Sequence, residues 1–273
     1  ITLLLVLLTS PLIALAARAL TRFEAERGQH SQVNYGFTLD FYRELFINRK
    51  QSVFYVPPAR AIGISFSYAV ITVLLALALG FPAAWALSRD TCHLTPISRF
   101  INRLLDPLLM LPLGTSAVTM GLGFVVALGR PPLDLRASPI LVPLAHTLVA
   151  FPFVVRSLTP ALRSIRPRLR QAAAVMGATP VQVIRHIDLP LTSRAIIVAA
   201  TFAFTISLGE FGATAMVSRP EFPTIPVAIY RFISQPGALN YGQALALSTI
   251  LMVVTAAGML AIERFRIGDI GEF

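Results

Sequence analysis

Charge is scarce in this chain: only 13% of its 273 residues are Asp, Glu, Lys or Arg, against 55% hydrophobic, and the mean hydropathy is +0.72. A soluble domain carries roughly 25% charged residues, so the deficit points to lipid as the solvent. Lysine is almost missing, with Lys50 alone, between Arg49 and Gln51. A P-loop needs Gly-Lys-Ser or Gly-Lys-Thr to cradle phosphates, so the chain cannot build a standard one, and any ATP-driven work needs a partner. The single Cys92 excludes an internal disulfide and a multi-cysteine metal site. His30, His93, His146 and His186 are far apart and make no metal-ligand spacing. No catalytic constellation is visible, and the chain does not read as an enzyme. A secretory signal would need a charged n-region and a small-residue cleavage site, and neither is present. The chain opens on Ile1 and is apolar from there, so it reads as the later part of a longer polypeptide.

What the chain has is apolar length. Six stretches, roughly 2–20, 61–87, 107–128, 139–158, 194–217 and 241–262, reach or approach the roughly 20 helical residues that cross a hydrocarbon core. The expected fold is an all-α integral membrane protein, a six-span helical bundle with a cytoplasmic two-helix loop. It divides into 1–60, a first span plus an external loop; 61–266, the core; and 267–273, a cytoplasmic tail. Pro82, Pro112, Gly121, Gly123, Pro143 and Pro152 lie inside spans, which membrane bundles accommodate better than soluble helices do. The fourth span is the most interrupted, by Pro143, His146 and Pro152. Ala199, Ala200 and Ala203 let neighbouring helices approach.

Net charge of +10 and a pI near 10.9 would suit nucleic acid, but the arginines are scattered between apolar runs, where flanking of spans in membrane lipid explains them. The stretch 156–194 holds Arg156, Arg163, Arg166, Arg168, Arg170, Arg185 and Arg194 against Asp188 alone, which makes it cytoplasmic. With six spans, the N-terminus, the 88–106 loop (Arg89, Arg99, Arg103) and the tail (Arg264, Arg266) fall on the same side. Segment 21–60 is then external despite Arg22, Arg27, Arg43, Arg49, Lys50 and Arg60; four acids accompany these, and the rule weakens in longer loops. An odd number of spans is the rival arrangement. Within this segment 29–32 is polar and featureless, whereas 39–46 has the pattern of a short amphipathic helix.

Between the fourth and fifth spans, the loop 159–193 centres on Gln171-Ala172-Ala173-Ala174-Val175-Met176-Gly177-Ala178, with nine residues separating the glycine from Ile187-Asp188-Leu189-Pro190. Pro167 suits the first turn of a helix, where its missing N–H is unpaired anyway. The alanines carry that helix and Gly177 ends it by tolerating positive φ. Thr179-Pro180-Val181-Gln182 restarts it with Thr179 as N-cap, Pro180 at N1 and Gln182 at the capping-box position. Val181, Ile184 and Ile187 give the second helix one apolar face, and Leu189-Pro190 is expected to stop it.

At these residues the chain resembles the permease subunits of binding-protein-dependent ATP-binding-cassette importers. Their signature is Glu-Ala-Ala, a Gly four residues after the second Ala, and Ile-x-Leu-Pro after nine more; only Gln171, in place of the glutamate, departs from it. The resemblance covers about 61–266. It implies a multi-pass protein of the prokaryotic cytoplasmic (inner) membrane, paired with a second permease half or copy. It also implies that Gln171, Ala172, Ala173, Gly177, Ala178, Ile187, Leu189 and Pro190 couple the permease to nucleotide-binding ATPase subunits. ATP and Mg would be bound there, and this chain would bind no cofactor. An extracytoplasmic substrate-binding protein would face the proline-rich stretch 219–230. Gln171 removes a charge but can still hydrogen-bond.

Glu210 is the one carboxylate placed deep in the fifth span, about 24 Å along a helix from Arg194. A carboxylate at that depth faces the bundle interior and marks a pathway or a polar pair between helices. Ser207, Gly209, Glu210, Gly212 and Thr214 are the candidate pathway residues. Leu208-Gly209-Glu210-Phe211-Gly212 resembles permeases for thiamine, ferric iron, and molybdate or sulfate. Iron(III) or thiamine is favoured, because the chain's start fits two permease halves fused in one polypeptide and the 219–230 stretch resembles that type. The alternatives are an oxyanion (molybdate or sulfate) permease, an ion-coupled secondary carrier working through Glu210, and a membrane scaffold without transport.

Overall fold

Hydrocarbon offers no water to backbone N–H and C=O groups, so a chain this apolar must bond them within helices. In the computed structural model, residues 2–22, 36–47, 57–88, 96–130, 135 and 138–267 are described. Lys50, Cys92, His30, His93, the 29–32 stretch and the tail beyond Ile267 lie outside them. The order is α1 (Thr2–Ala19), a two-residue antiparallel ladder of Thr21–Arg22 with Gly36–Phe37, and α2 (Asp40–Arg43), which runs on as a 3₁₀ turn, Glu44–Phe46. Then come α3 (Pro58–Ser88), α4 (Pro96–Gly114), α5 (Ala117–Ala127), α6 (Leu141–Ser164) and α7 (Pro167–Val175). After these, α8 (Pro180–Val183) continues through a π-helical turn, Ile184–Asp188, into α9 (Leu189–Leu191). The chain closes with α10 (Ser193–Gly209), α11 (Gly212–Val217), α12 (Ile225–Ile233) and α13 (Ala238–Ile267).

Among the described residues, four helices are long and apolar enough to cross a membrane, Thr2–Ala19, Pro58–Ser88, Leu141–Ser164 and Ala238–Leu260, or up to six if each bent pair of helices is one span. The four match the first, second, fourth and sixth expected spans. The stretch interrupted by Pro143, His146 and Pro152 is one unbroken helix, α6, and it is the most buried of the four. The expected third span, 107–128, is not straight: α4 and α5 meet at 105° across Thr115–Ser116. Pro112 removes a backbone donor just before the break, and Ser116, in an extended conformation, restarts the helix by accepting the Met120 N–H. The fifth span, 194–217, is likewise divided, with α10 ending at Gly209 and α11 beginning at Gly212. The fourth helix runs on to Ser164, so the loop placed at 159–193 begins only at Ile165, and Arg156 and Arg163 belong to α6.

The centre is α3, α6 and α10, packed through Ala76, Ala84, Ala150, Val154, Val155, Leu158, Leu162, Ala199 and Ala203. Alanines on three facing helices bring the backbones close, which is how helices associate where lipid removes the hydrophobic drive. A Cβ on Gly80 would sit 2.6 Å from Val154 Cγ1. At the opposite end of the bundle from the loop, Leu45, Ala61, Ile225, Ala228, Ala246 and Leu247 form a second cluster. Phe41 of α2 lies on Gly242 there, and the Gln243 amide donates to the Glu44 carbonyl at 3.1 Å. The 39–46 segment is therefore a short helix packed on α13. It sits at the end that six spans place outside. The ladder of Thr21–Arg22 with Gly36–Phe37 is the one strand pair among the described residues, and the all-α reading did not include it.

The two short half-helices, α5 and α11, pack on each other through small residues. A Cβ on Gly121 would meet the Ala213 carbonyl at 2.8 Å and Ala213 Cα at 2.9 Å, whereas a Cβ on Gly123 meets nothing within 4 Å. Gly121→Val therefore lowers the thermal midpoint of the detergent-solubilised protein, at a cost of about 1–3 kcal/mol, because backbone cannot yield as a side chain can. Gly123→Val, two residues away on the same helix, changes it by less than half as much. Equal effects of the two substitutions would show that α5 and α11 are not in close contact.

Candidate functional site

The loop between α6 and α10 is built by local chemistry. Pro167 stands at the start of α7, and the helix ends with Gly177 at φ +85°. The Ala178 N–H donates to the Ala173 carbonyl and the Gly177 N–H to Ala174, both at 3.0 Å, which is a Schellman closure. Thr179 then opens α8 with a complete capping box. Its hydroxyl accepts the Gln182 N–H at 3.4 Å, and Gln182 Oε1 accepts the Thr179 N–H at 2.7 Å.

Leu189-Pro190 does not stop the second helix. The chain widens into a π-turn at Ile184–Asp188, Leu189 N–H donates to the Ile184 carbonyl, and helix continues to Leu191. An i→i+5 pattern relieves the clash of the Pro190 ring with the carbonyl four residues earlier. The true corner is Thr192, where the helix turns by 74° into α10. Nor is Val181 on the inner face: it is 72% exposed, while Val183, Ile184 and Ile187 turn inward. Val181, Val175 (89%) and Met176 (86%) instead form an exposed apolar tip at the hinge.

The structure gathers Ala173, Gly177, Ala178 and Ile187 around one hollow between the two short helices, with Met176, Gln182, Val183 and His186. Gln171, Ala172, Leu189 and Pro190 are exposed outside it. On the other side is a cleft of about 210 Å³ lined by Trp85, Arg170, Ala174, Ala178, Pro180, Val183 and Asp188.

That cleft contains the groups that the sequence did not single out as a site. Asp188 is 0% exposed. Its Oδ1 accepts from Arg170 Nε at 2.8 Å and its Oδ2 from Trp85 Nε1 at 3.0 Å. Arg170 also reaches the Leu162 carbonyl (3.4 Å), Arg163 donates to the Leu87 carbonyl (2.9 Å), and Thr192 Oγ1 donates to the Asp188 carbonyl (2.6 Å). One carboxylate thus ties α7 and the π-turn to the end of α3, with α6 and α10 bonded beside it. The only sequence signal was Asp188 standing alone among seven arginines; the pairing with Trp85 spans 103 residues and leaves no local trace.

The candidate pathway residues surround the break between α10 and α11. Glu210 is extended, φ −73° and ψ 112°, so it sits at the break that divides the expected fifth span and not inside a continuous helix. Its Oε1 accepts the Ala213 N–H at 2.9 Å, capping α11, and its carbonyl accepts the Thr214 hydroxyl at 2.8 Å. Ser207 and Thr214 are buried and meet at His146, which is 0% exposed on α6. His146 Nε2 is 2.6 Å from Thr214 Oγ1 and Nδ1 is 2.8 Å from Ser207 Oγ, which lies 3.3 Å from Thr72 Oγ1 on α3. Thr214 donates its hydroxyl proton to the Glu210 carbonyl, so its oxygen is an acceptor for His146 Nε2–H, and Ser207 donates its own to Thr72 Oγ1. Gly212 packs against Ala117 and Val118 of α5, and Gly209 is exposed. Among the described residues, no three His, Cys, Asp or Glu side chains gather as a metal site.

Because Glu210 acts here on backbone N–H groups, Glu210→Gln keeps the capping oxygen and leaves the thermal midpoint within about 0.5 kcal/mol of the parent, whereas Glu210→Leu loses the cap at about 1 kcal/mol. Thermal unfolding of both variants in one detergent checks this. A Gln variant as unstable as Leu would show that the charge, not the acceptor, is needed.

Residues 76–266 match the family described as the binding-protein-dependent transport system inner membrane component. The molybdenum transport system permease protein ModB of Haemophilus influenzae is 34% identical over 206 residues, which are 70% of this chain and 87% of that protein. ModB of Escherichia coli strain K12 is 34% identical over 213 residues, 72% of this chain and 90% of that one. PhnV of Salmonella paratyphi A, provisionally named a 2-aminoethylphosphonate transport system permease protein, is 30% identical over 154 residues; the match spans 56% of this chain and 57% of PhnV. Among solved structures, one chain of a bacterial ABC transporter importing alginate superposes with a TM-score of 0.67 at 20% identity, over 99% of this chain and 93% of that one. A chain of the inward-facing MetNI methionine ABC transporter gives 0.56 at 18% identity, over 76% and 95%. The fold, the hinged loop and the match across 76–266 lead to one assignment: this chain belongs to the inner-membrane permease components of binding-protein-dependent transport systems.

Proposed function

We propose that the chain is the membrane-spanning permease of an ATP-driven importer that receives a tetrahedral oxyanion from a binding protein and passes it inward. The observation that carries this reading is the α7–α8 loop, which presents an exposed apolar tip of Val175, Met176 and Val181 on a base fixed to α3 by a buried carboxylate. Exposed apolar side chains at a polar loop mark a docking surface for another protein. ATP and Mg would be bound on an ATPase subunit seated at that tip, with a second permease half or copy completing the pathway. The superposed alginate and methionine systems are ABC transporters, and a second alginate-transporter structure is in complex with a periplasmic protein bound to alginate pentasaccharide, which supports partners of these kinds.

Iron(III) and thiamine, favoured on the sequence, yield to an oxyanion because ModB and PhnV are named for molybdenum and 2-aminoethylphosphonate. Molybdenum in neutral water is the tetrahedral molybdate anion, and a phosphonate carries a comparable tetrahedral head. Ion-coupled carriage at Glu210 is disfavoured, since its carboxylate caps α11.

Membrane vesicles containing this chain, its co-expressed ATPase and its binding protein should take up labelled molybdate only with ATP, while the chain alone hydrolyses none. Uptake of labelled iron(III) or thiamine in place of molybdate would restore the first substrate reading. ATPase activity from the isolated chain would overturn the division of labour.

A further inference from the structure

We infer that Asp188 is the positioning residue of the α7–α8 loop, and that it makes the loop and the inner end of α3 move as one body. Arg170 and Trp85 bring a guanidinium and an indole N–H, which are donors with no acceptor capacity. Each takes a different carboxylate oxygen, at 2.8 and 3.0 Å. Only a group with two acceptor oxygens and no donor satisfies both at once. An asparagine, although the same size, would turn its NH₂ toward one of the two donors and leave a buried N–H unpaired.

Placement gives this chemistry its reach. Arg170 immediately precedes Gln171 on α7, Trp85 lies one turn from the end of α3, and Asp188 itself belongs to the π-turn that leads into α10. Among the described residues, the loop's other hydrogen bonds here are weaker or local, Arg170 to the Leu162 carbonyl at 3.4 Å and Thr192 to Asp188 within the same turn, while Ile187 adds non-directional packing against the central cluster. The apolar tip of Val175, Met176 and Val181 extends beyond this anchor, 72–89% exposed among the described residues. A push at the tip is therefore delivered through α7 and the π-turn to Asp188, and from there to α3. With the carboxylate paired, the loop acts as a rigid lever; unpaired, it hinges at Ile165–Arg166 and at Thr192 and dissipates the displacement. The statement about rigidity stands on geometry alone, whereas its use in driving transport rests on the importer reading above.

Hydrogen exchange on the full chain in nanodiscs tests the rigidity without any partner or substrate. Asp188→Asn is expected to raise exchange of peptides within 167–191 about tenfold, while peptides of 141–158 and 193–209 keep the parent rates. Trp85→Phe, which removes one donor and leaves Arg170 in place, should give the same localised rise at smaller size, and serves if the Asn variant does not accumulate. Arg170→Gln combined with Asp188→Asn should be no worse than Asp188→Asn alone, since both disrupt one shared network. Unchanged exchange in 167–191, or a uniform rise across all helices, would overturn the inference, the second by reducing Asp188 to a general stabiliser. In vesicles with the ATPase and binding protein, molybdate taken up per ATP hydrolysed should fall about tenfold in Asp188→Asn at equal complex yield, and an unchanged ratio would remove the functional half. Absence of ATP-dependent uptake by the parent complex would count against the importer reading and leave the exchange result standing.

Discussion

A polypeptide that exchanges water for hydrocarbon must bond every backbone N–H and C=O to protein, and most of this architecture follows from that constraint. Long helices satisfy it by themselves. Each place where the helix is broken carries its own repair. At 115–116 the Ser116 carbonyl accepts the Met120 N–H and restarts the turn. At 210–211 the Glu210 side chain takes the Ala213 N–H and its carbonyl takes the Thr214 hydroxyl. At Pro190 the chain widens to a π-turn and continues. The two breaks let α5 and α11 leave the lines of α4 and α10 and pack on each other through Gly121 and Gly212. Non-helical backbone is tolerated at membrane depth only where protein covers it, and Ala213, Thr214 and Tyr68 are buried there.

The same rule governs side chains. Two sets of buried polar groups are each satisfied across several helices. His146 with Ser207, Thr214 and Thr72 joins α6, α10, α11 and α3 within the bundle. Asp188 with Arg170 and Trp85 joins α7, the π-turn and α3 at the loop end of the bundle. An unpaired carboxylate there would cost several kcal/mol, so loss of either partner is felt across the whole loop. Arginine at 170 suits the task better than lysine, because its planar fork directs Nε to the carboxylate while Nη2 reaches the Leu162 carbonyl.

What the sequence revealed was local or periodic. Gly177 with positive φ, the Thr179–Gln182 capping box and Pro167 at a helix start are set by chemistry within a few residues, and all three are as read. Four spans were legible from apolar length alone. Breaks were not, because Pro112 and Gly209 are compatible with both a kinked helix and a divided one; neighbours decide between them. Pro190 misled for the converse reason, since a π-turn absorbs it. The pairing of Trp85 with Asp188 could not be read at all, and it determines how the loop is held.

We propose that an ATPase subunit docks at the α7–α8 tip, at the end of the bundle opposite α2 and α12. A photo-reactive phenylalanine analogue in place of Met176, and in a separate chain in place of Tyr241, tests it directly in native membranes. Met176 is 86% exposed at the tip, and Tyr241 is 48% exposed at the far end, beside Gly242 where Phe41 packs. Irradiation should join the ATPase subunit to position 176 and not to position 241. Capture at 241 with none at 176 would contradict the account.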